Sequence, residues 1–187
     1  MNMGQTMITT GMFVLLVMSA VSANRMLNQN VEITLQTEAM EISASVAEDL
    51  MAEASAKLFD RYDDGSGTQY PWDFGDCGPS SSEYNQVPQP DTLLSGAFKS
   101  ESTFNDFDDY EGYQRKVTAG GISGFLVKSY VYYVDEYAPD IPSYWQSYFK
   151  RMEVRVRHPL YIVNKEGKST NLDGSPVEIV YTTLLTY

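Results

Sequence analysis

"MNMGQTMITTGMFVLLVMSAVSANRML" (residues 1–27) carries no charged side chain before Arg25. Met7–Ala23 is 17 residues, roughly 26 Å as a helix, at the short end of what spans a bilayer. A secretory signal would need a positive start and a small-residue cleavage site. There is no Lys or Arg ahead of the apolar run, although "SAVSA" (19–23) imitates a site. The expectation is that the segment stays on the mature chain. Gly4, Thr6, Thr9, Thr10, Gly11, Ser19, Ala20, Ser22 and Ala23 recur through it. Small and hydroxyl residues let helices approach closely in an apolar medium. The segment therefore reads either as a lipid-facing anchor or as a helix that packs on copies of itself.

The pattern does not stop at Asn24. There is no proline before Pro71 and no glycine between Gly11 and Gly65. Leu27, Val31, Leu35, Ala39, Ile42, Val46, Leu50, Ala54 and Leu58 recur at spacings of three or four, which makes one helical stripe. Glu32, Glu38, Glu41, Glu48, Asp49 and Glu53 lie mostly off it, and Glu53 with Lys57 makes a favourable i,i+4 pair. "DRYDDGSG" (60–67) ends the run with a glycine-rich breaker. The spacing predicts one helix over 1–60. Residues 1–24 are its membrane or filament-core part and 25–60 its amphipathic part.

Residues 61–187 read as a β-rich head that opens with a long Gly/Pro/Ser/Asp/Tyr loop over 61–92. "TLLSGAFK" (92–99) is a weak strand candidate and "ISGFLVKSYVYYVDEY" (122–137) a strong one. "KRMEVRVRH" (150–158) alternates, with Met152, Val154 and Val156 on one face and Arg151, Glu153, Arg155 and Arg157 on the other. "PVEIVYTTLLTY" (176–187) is the last strand, reached through a turn-rich connection. The expected fold class is α+β: a long N-terminal helix whose C-terminal half packs on a three- to four-stranded antiparallel sheet.

The net charge of −12 argues against nucleic acid as a partner. Charge is also uneven. Residues 60–112 hold twelve acids and two bases, and 150–157 four bases and one acid. Complementary patches suit head-to-tail assembly, unless they meet within one head. Asp106, Asp108, Asp109 and Glu111, beside Asn105, are a candidate Ca²⁺ set, since hard cations take several carboxylate oxygens from a short loop. A solvated acidic turn is the plainer alternative. Asp60, Asp63 and Asp64 with "GSG" are a weaker candidate for an ion, and the helix exit is enough to explain them. His158 reads as a strand-end residue and Cys77, the single cysteine, as a structural thiol. "SSS" (80–82) reads as a flexible turn rather than an O-glycosylation site, and Trp72 and Trp145 as packing rather than sugar-stacking residues. There is no phosphate loop, nucleophile elbow, zinc pair or dinucleotide fingerprint, so no catalysis and no certain cofactor is expected.

A long N-terminal helix, hydrophobic at its start and followed by a β-rich head, resembles type IV pilins and pseudopilins. "FNDFDDYEGY" (104–113) is similar to an acidic DDxDDxxG motif of minor pilins of the mannose-sensitive haemagglutinin type. The resemblance implies a bacterial, non-enzymatic subunit of an extracellular filament. Its apolar helices would bundle in the filament core after residence in the inner membrane, and its heads would form the outer surface. Copies of itself are then the main partner. Gln5, Val14, Leu27, Val31, Leu35, Ile42, Val46 and Leu50 are the assembly candidates. Family members carry Glu at mature position five, where this chain has Gln5 counted from Met1, or Thr9 if cut after Gly4. The family's C-terminal disulfide loop has no counterpart in a sequence with one cysteine. A minor subunit that primes or caps a filament, and a monomeric anchored module that binds sugar or Ca²⁺, are the alternatives.

Overall fold

A computed structural model of the chain describes residues 3–60, 70–75, 77, 90–93, 96–164 and 166–187. It divides into two units, Met1–Glu38 and Ala39–Tyr187. The first helix, α1 (Met3–Ser55), supplies all that is described of the first unit and opens the second. In the first unit, residues 3–34 are exposed on every side.

The second unit is a helix on a sheet. After α1 come β1 (Asp91–Thr92), α2 (Lys99–Thr103), β2 (Gln114–Ala119), β3 (Ile122–Asp135), β4 (Ala138–Pro142), β5 (Phe149–Arg157) and β6 (Ile179–Thr186). The sheet runs β1-β2-β3-β5-β6, with β4 attached to β3. The coarse α+β expectation is met, but the sheet is larger and mixed: six strands, with β1 parallel to β2. Two of the added strands lack the expected composition. β2 (QRKVTA) carries two cations, and β4 (APDIP) carries two prolines, which places it at an edge. Among the described residues of the 92–99 candidate only Thr92 belongs to a strand, β1, and the segment ends by starting α2.

Alternation decides which side chains face inward. Phe125, Val127, Val131 and Tyr133 of β3 are buried, as are Met152, Val154 and Val156 of β5. All but Tyr133 share a cluster with Ala39, Val46, Ala47, Leu50 and Ala54 of α1, while Tyr133 packs with Phe59 and Phe74. These helix residues are small apart from Val46 and Leu50, so the backbone can come close to the sheet. The closest approach is at the β2–β3 turn. A Cβ on Gly120 would lie 2.4 Å from the Ile42 side chain, and its φ of +58° already favours glycine.

α1 stops earlier than the glycine signal implies. The Leu58 N–H donates to the Asn105 carbonyl at 3.4 Å, and the Leu58 carbonyl accepts from Phe107 N–H at 2.9 Å. The chain therefore leaves the helix to pair with the acidic segment. This removes Leu58 from the stripe, and it stands 50% exposed. Leu35 and Ile42 are half-buried, while Val46 and Leu50 are buried as the spacing predicts. Most of the 61–92 loop lies outside the described residues, as do Asp63, Asp64 and "SSS".

Candidate functional site

Two features outside the ordinary core stand out, one in each unit. The first is the surface of α1 before Glu38. Met7, Met12, Phe13, Val14, Leu15, Leu16, Met18, Val21, Leu27 and Val31 are all exposed. The helix is long and apolar enough to cross a membrane, and none of its apolar window is buried. Thr9 donates its hydroxyl proton to backbone carbonyls of the preceding turn, Gln5 and Thr6 at 3.0 Å, and Thr10 donates to Thr6 at 2.8 Å. These donors are satisfied within the helix itself. Gln5, Val14, Leu27 and Val31 all belong to this exposed surface, whereas Val46 and Leu50 serve the second unit's own core.

The second feature is a pair of buried cations on the inner face of the sheet. Arg115 of β2 donates Nη1 to Glu53 Oε2 at 2.8 Å and stands 4.7 Å over the Phe98 ring. Glu53 Oε1 accepts from Ser100 at 2.7 Å and from the Tyr110 hydroxyl at 2.8 Å. Tyr113 donates to Asp91 at 2.9 Å, and Asp91 also accepts from Lys99 N–H at 2.8 Å. Glu53 is thus drawn to the sheet rather than to Lys57, whose ammonium bonds the Glu101 and Phe104 carbonyls at 3.0 and 2.8 Å. Burial, reinforced by the Glu53 and Asp91 carboxylates, pushes the Tyr110 and Tyr113 phenols well above the usual range.

Lys150 of β5 is the second cation and is 0% exposed. Its Nζ donates to Asp108 Oδ2 at 2.8 Å and lies 2.7 Å from Oδ1, which receives no well-directed hydrogen bond. It also donates to the Phe59 carbonyl at 2.7 Å and to Asp60 Oδ2 at 3.4 Å. The rings of Phe59 and Tyr133 face it with centroids at 4.4 and 4.8 Å. Burial pushes the Asp108 carboxyl up to about 7, against the opposing pull of Lys150. Burial, and then the Asp108 carboxylate, raises the Cys77 thiol far above its usual range, which suppresses the thiolate needed for reaction.

The acidic motif folds inward around these cations. Asp106 caps the short 3-10 turn Phe107–Tyr110 by accepting from Asp109 N–H at 3.1 Å. Asp109 in turn accepts from Asn105 N–H at 2.8 Å and Asp106 N–H at 3.3 Å. Glu111 accepts from Val131 N–H of β3. Asp106, Asp108, Asp109 and Glu111 are therefore close in sequence, but each accepts through one oxygen from a different internal donor. Among the described residues no group of three or more His, Cys, Asp or Glu is placed to hold a metal ion.

The acidic 60–112 region and the basic strand meet inside one head at Lys150. Sequence alternation alone places Lys150 on the inward face with Met152, Val154 and Val156. That parity was the available signal for it, and the same rule applied to β2 places Arg115 with Val117 and Ala119. His158 follows β5 and is buried. Its Nδ1 accepts from Leu160 and Tyr161 N–H groups at 3.2 Å, so Nε2 carries the proton it gives to the Ser123 carbonyl at 3.0 Å. Trp72 stacks on Tyr70 at 4.6 Å, and both Trp72 and Trp145 are exposed rather than packed into the core. Comparison with family models, with curated proteins and with solved structures returns no match to this chain.

Proposed function

We propose that the chain is a non-catalytic structural subunit of an extracellular filament of the type IV pilus kind, assembled through α1 ahead of residue 39. The observation that carries this reading is the exposed apolar surface from Met3 to Val21. A helix apolar on all sides is normally buried, in a large protein or in a membrane. Lipid would cover it before assembly, in the inner membrane, and neighbouring copies would cover it afterwards. Gly4 and Gly11, with open space around their α-carbons, give neighbouring helices points of close approach. The second unit completes its own core from Ala39 onward, so it would act as a head that does not need the first segment to fold.

Electron microscopy of material sheared from expressing cells tests the reading, combined with N-terminal mass spectrometry of that material. Filaments built mainly of this chain, with the apolar segment retained, are the expected result. Filaments holding only traces of it would make it a minor subunit. A mature chain beginning near Asn24 would remove the core and overturn the proposal.

A further inference from the structure

We propose that Lys150 and Asp108 condense with each other to form an intramolecular isopeptide bond, with Asp60 carrying the proton. The site has what such a condensation requires. The Lys150 nitrogen stands 2.7 and 2.8 Å from the two Asp108 carboxyl oxygens. Two groups held at contact distance react as though one were present at an enormous concentration, about 10⁵ M or more for well-oriented pairs. A second carboxylate touches the same nitrogen: Asp60 Oδ2 lies 3.4 Å from Nζ. It is held by the Gly75 N–H at 2.9 Å and by the Tyr133 hydroxyl at 3.4 Å. Phe59 and Tyr133 flank the nitrogen and help exclude water, and water is the product whose removal drives an amide forward.

The step balances as follows. The Lys150 ammonium and the Asp108 carboxylate together contain one amide and one water. Asp60 takes a proton from Nζ. The freed lone pair adds to the Asp108 carboxyl carbon, forming the C–N bond. The adduct loses one Asp108 oxygen, which leaves as water with the proton returned by Asp60 and one of the two protons still on the nitrogen; the other stays as the amide N–H. Asp60 ends as it began, no oxidant is consumed, and the net charge is unchanged. The burial of the Asp108 carboxyl that raises its proton affinity favours the protonated form from which an oxygen can depart. Condensation also removes two buried charges whose desolvation a close ion pair recovers only in part. It leaves one carbonyl oxygen in place of a carboxylate whose Oδ1 has no directed hydrogen bond.

The bond would tie β5 to the 3-10 turn ahead of β2, in a unit with no disulfide. Its chemistry is independent of whether the chain forms filaments.

Intact-mass spectrometry of the purified full chain, kept in detergent, reads the result directly. The folded wild type is expected to be lighter than its sequence by one water. Trypsin should then release a branched peptide joining residues 100–115 to 129–151, because trypsin does not cut at an acylated lysine. Asp108→Ala and Lys150→Arg should have the full sequence mass. Asp60→Asn should keep a folded head by circular dichroism and also have the full mass. A folded wild type of full mass overturns the proposal. So does a water loss with no branched peptide, which would instead mark a succinimide at an Asp-Gly step such as Asp173–Gly174. Cross-linking of Asp60→Asn to the wild-type extent overturns the part assigned to Asp60.

Discussion

Residues 7–21 and 39–54 belong to the same helix, and both are rich in apolar side chains, yet they are built in opposite ways. In 39–54 the buried residues are Ala39, Ser43, Val46, Ala47, Leu50 and Ala54, all on one face. Glu41, Glu48 and Asp49 are exposed. In 7–21 the residues are larger, among them Met12, Phe13, Leu15, Leu16 and Met18, and they are exposed on every side. The lesson concerns what each stretch needs. A one-sided face of small residues is completed by a sheet in the same chain. An all-round apolar surface can be completed only by surroundings that enclose it. Apolar content alone would treat the two stretches as equals; residue size and periodicity separate them.

The largest effect expected from testing this contrast is at Leu50, which is fully buried. Leu50→Asp puts an unpaired carboxylate into the cluster and should cost several kcal/mol. Thermal or urea melting of the full chain in detergent checks it. Melting like that of the wild type would break the contrast from the folded side.

A smaller effect should come from pH. The Tyr110, Tyr113 and Tyr133 phenols are raised above the ordinary value by burial. A raised folded pKa in an acid means that its stabilising contribution is complete below the unfolded pKa, about 10, and is lost as pH rises beyond it. The slope is about 1.4 kcal/mol per pH unit for each such phenol. Spectrophotometric titration should show three tyrosines ionising only together with unfolding of the second unit. Three that titrate freely near pH 10 in folded protein would contradict their burial.

The smallest effect on head stability is expected at Val14, yet the largest on assembly. Val14→Lys leaves the second unit's core untouched, so its melting should not move. In an assembled apolar core the same ammonium would cost several kcal/mol even after relaxation, so filaments should vanish. Gln5→Ala should weaken assembly less. Normal filaments from Val14→Lys, seen by electron microscopy, would sink the assembly role of this surface.

Much of this was legible in the sequence, because periodicity reports burial wherever the residue types cooperate. The alternation of β5 and the stripe through Val46 and Leu50 are of that kind. Three features were obscured for physical reasons. β2 reads as polar because Arg115 and Lys116 sit on it, yet Arg115 is buried against Glu53. Lys150 has inward parity, but lysine is so seldom fully buried that composition argues for solvent. Leu58 has the right spacing, but Asn105 and Phe107 take its backbone groups from nearly fifty residues away, and local spacing carries no information about such a partner. The acidic motif was visible as a cluster. Its wiring was not, since the Lys150 ammonium that Asp108 binds and the Val131 N–H that Glu111 binds come from β5 and β3, far along the chain.

Thr9 and Thr10 lend the apolar segment a property that its hydrophobicity alone would not. Because each hydroxyl proton is already given to the helix's own carbonyls, neither makes a directional demand on whatever lies alongside. A neighbour can slide, rotate or be replaced by another neighbour, and no hydrogen bond from these hydroxyls has to break at any stage. Lipid tails and the flank of another helix are equivalent to such groups. Exchanging one for the other is then a change of company and carries no barrier from these two side chains.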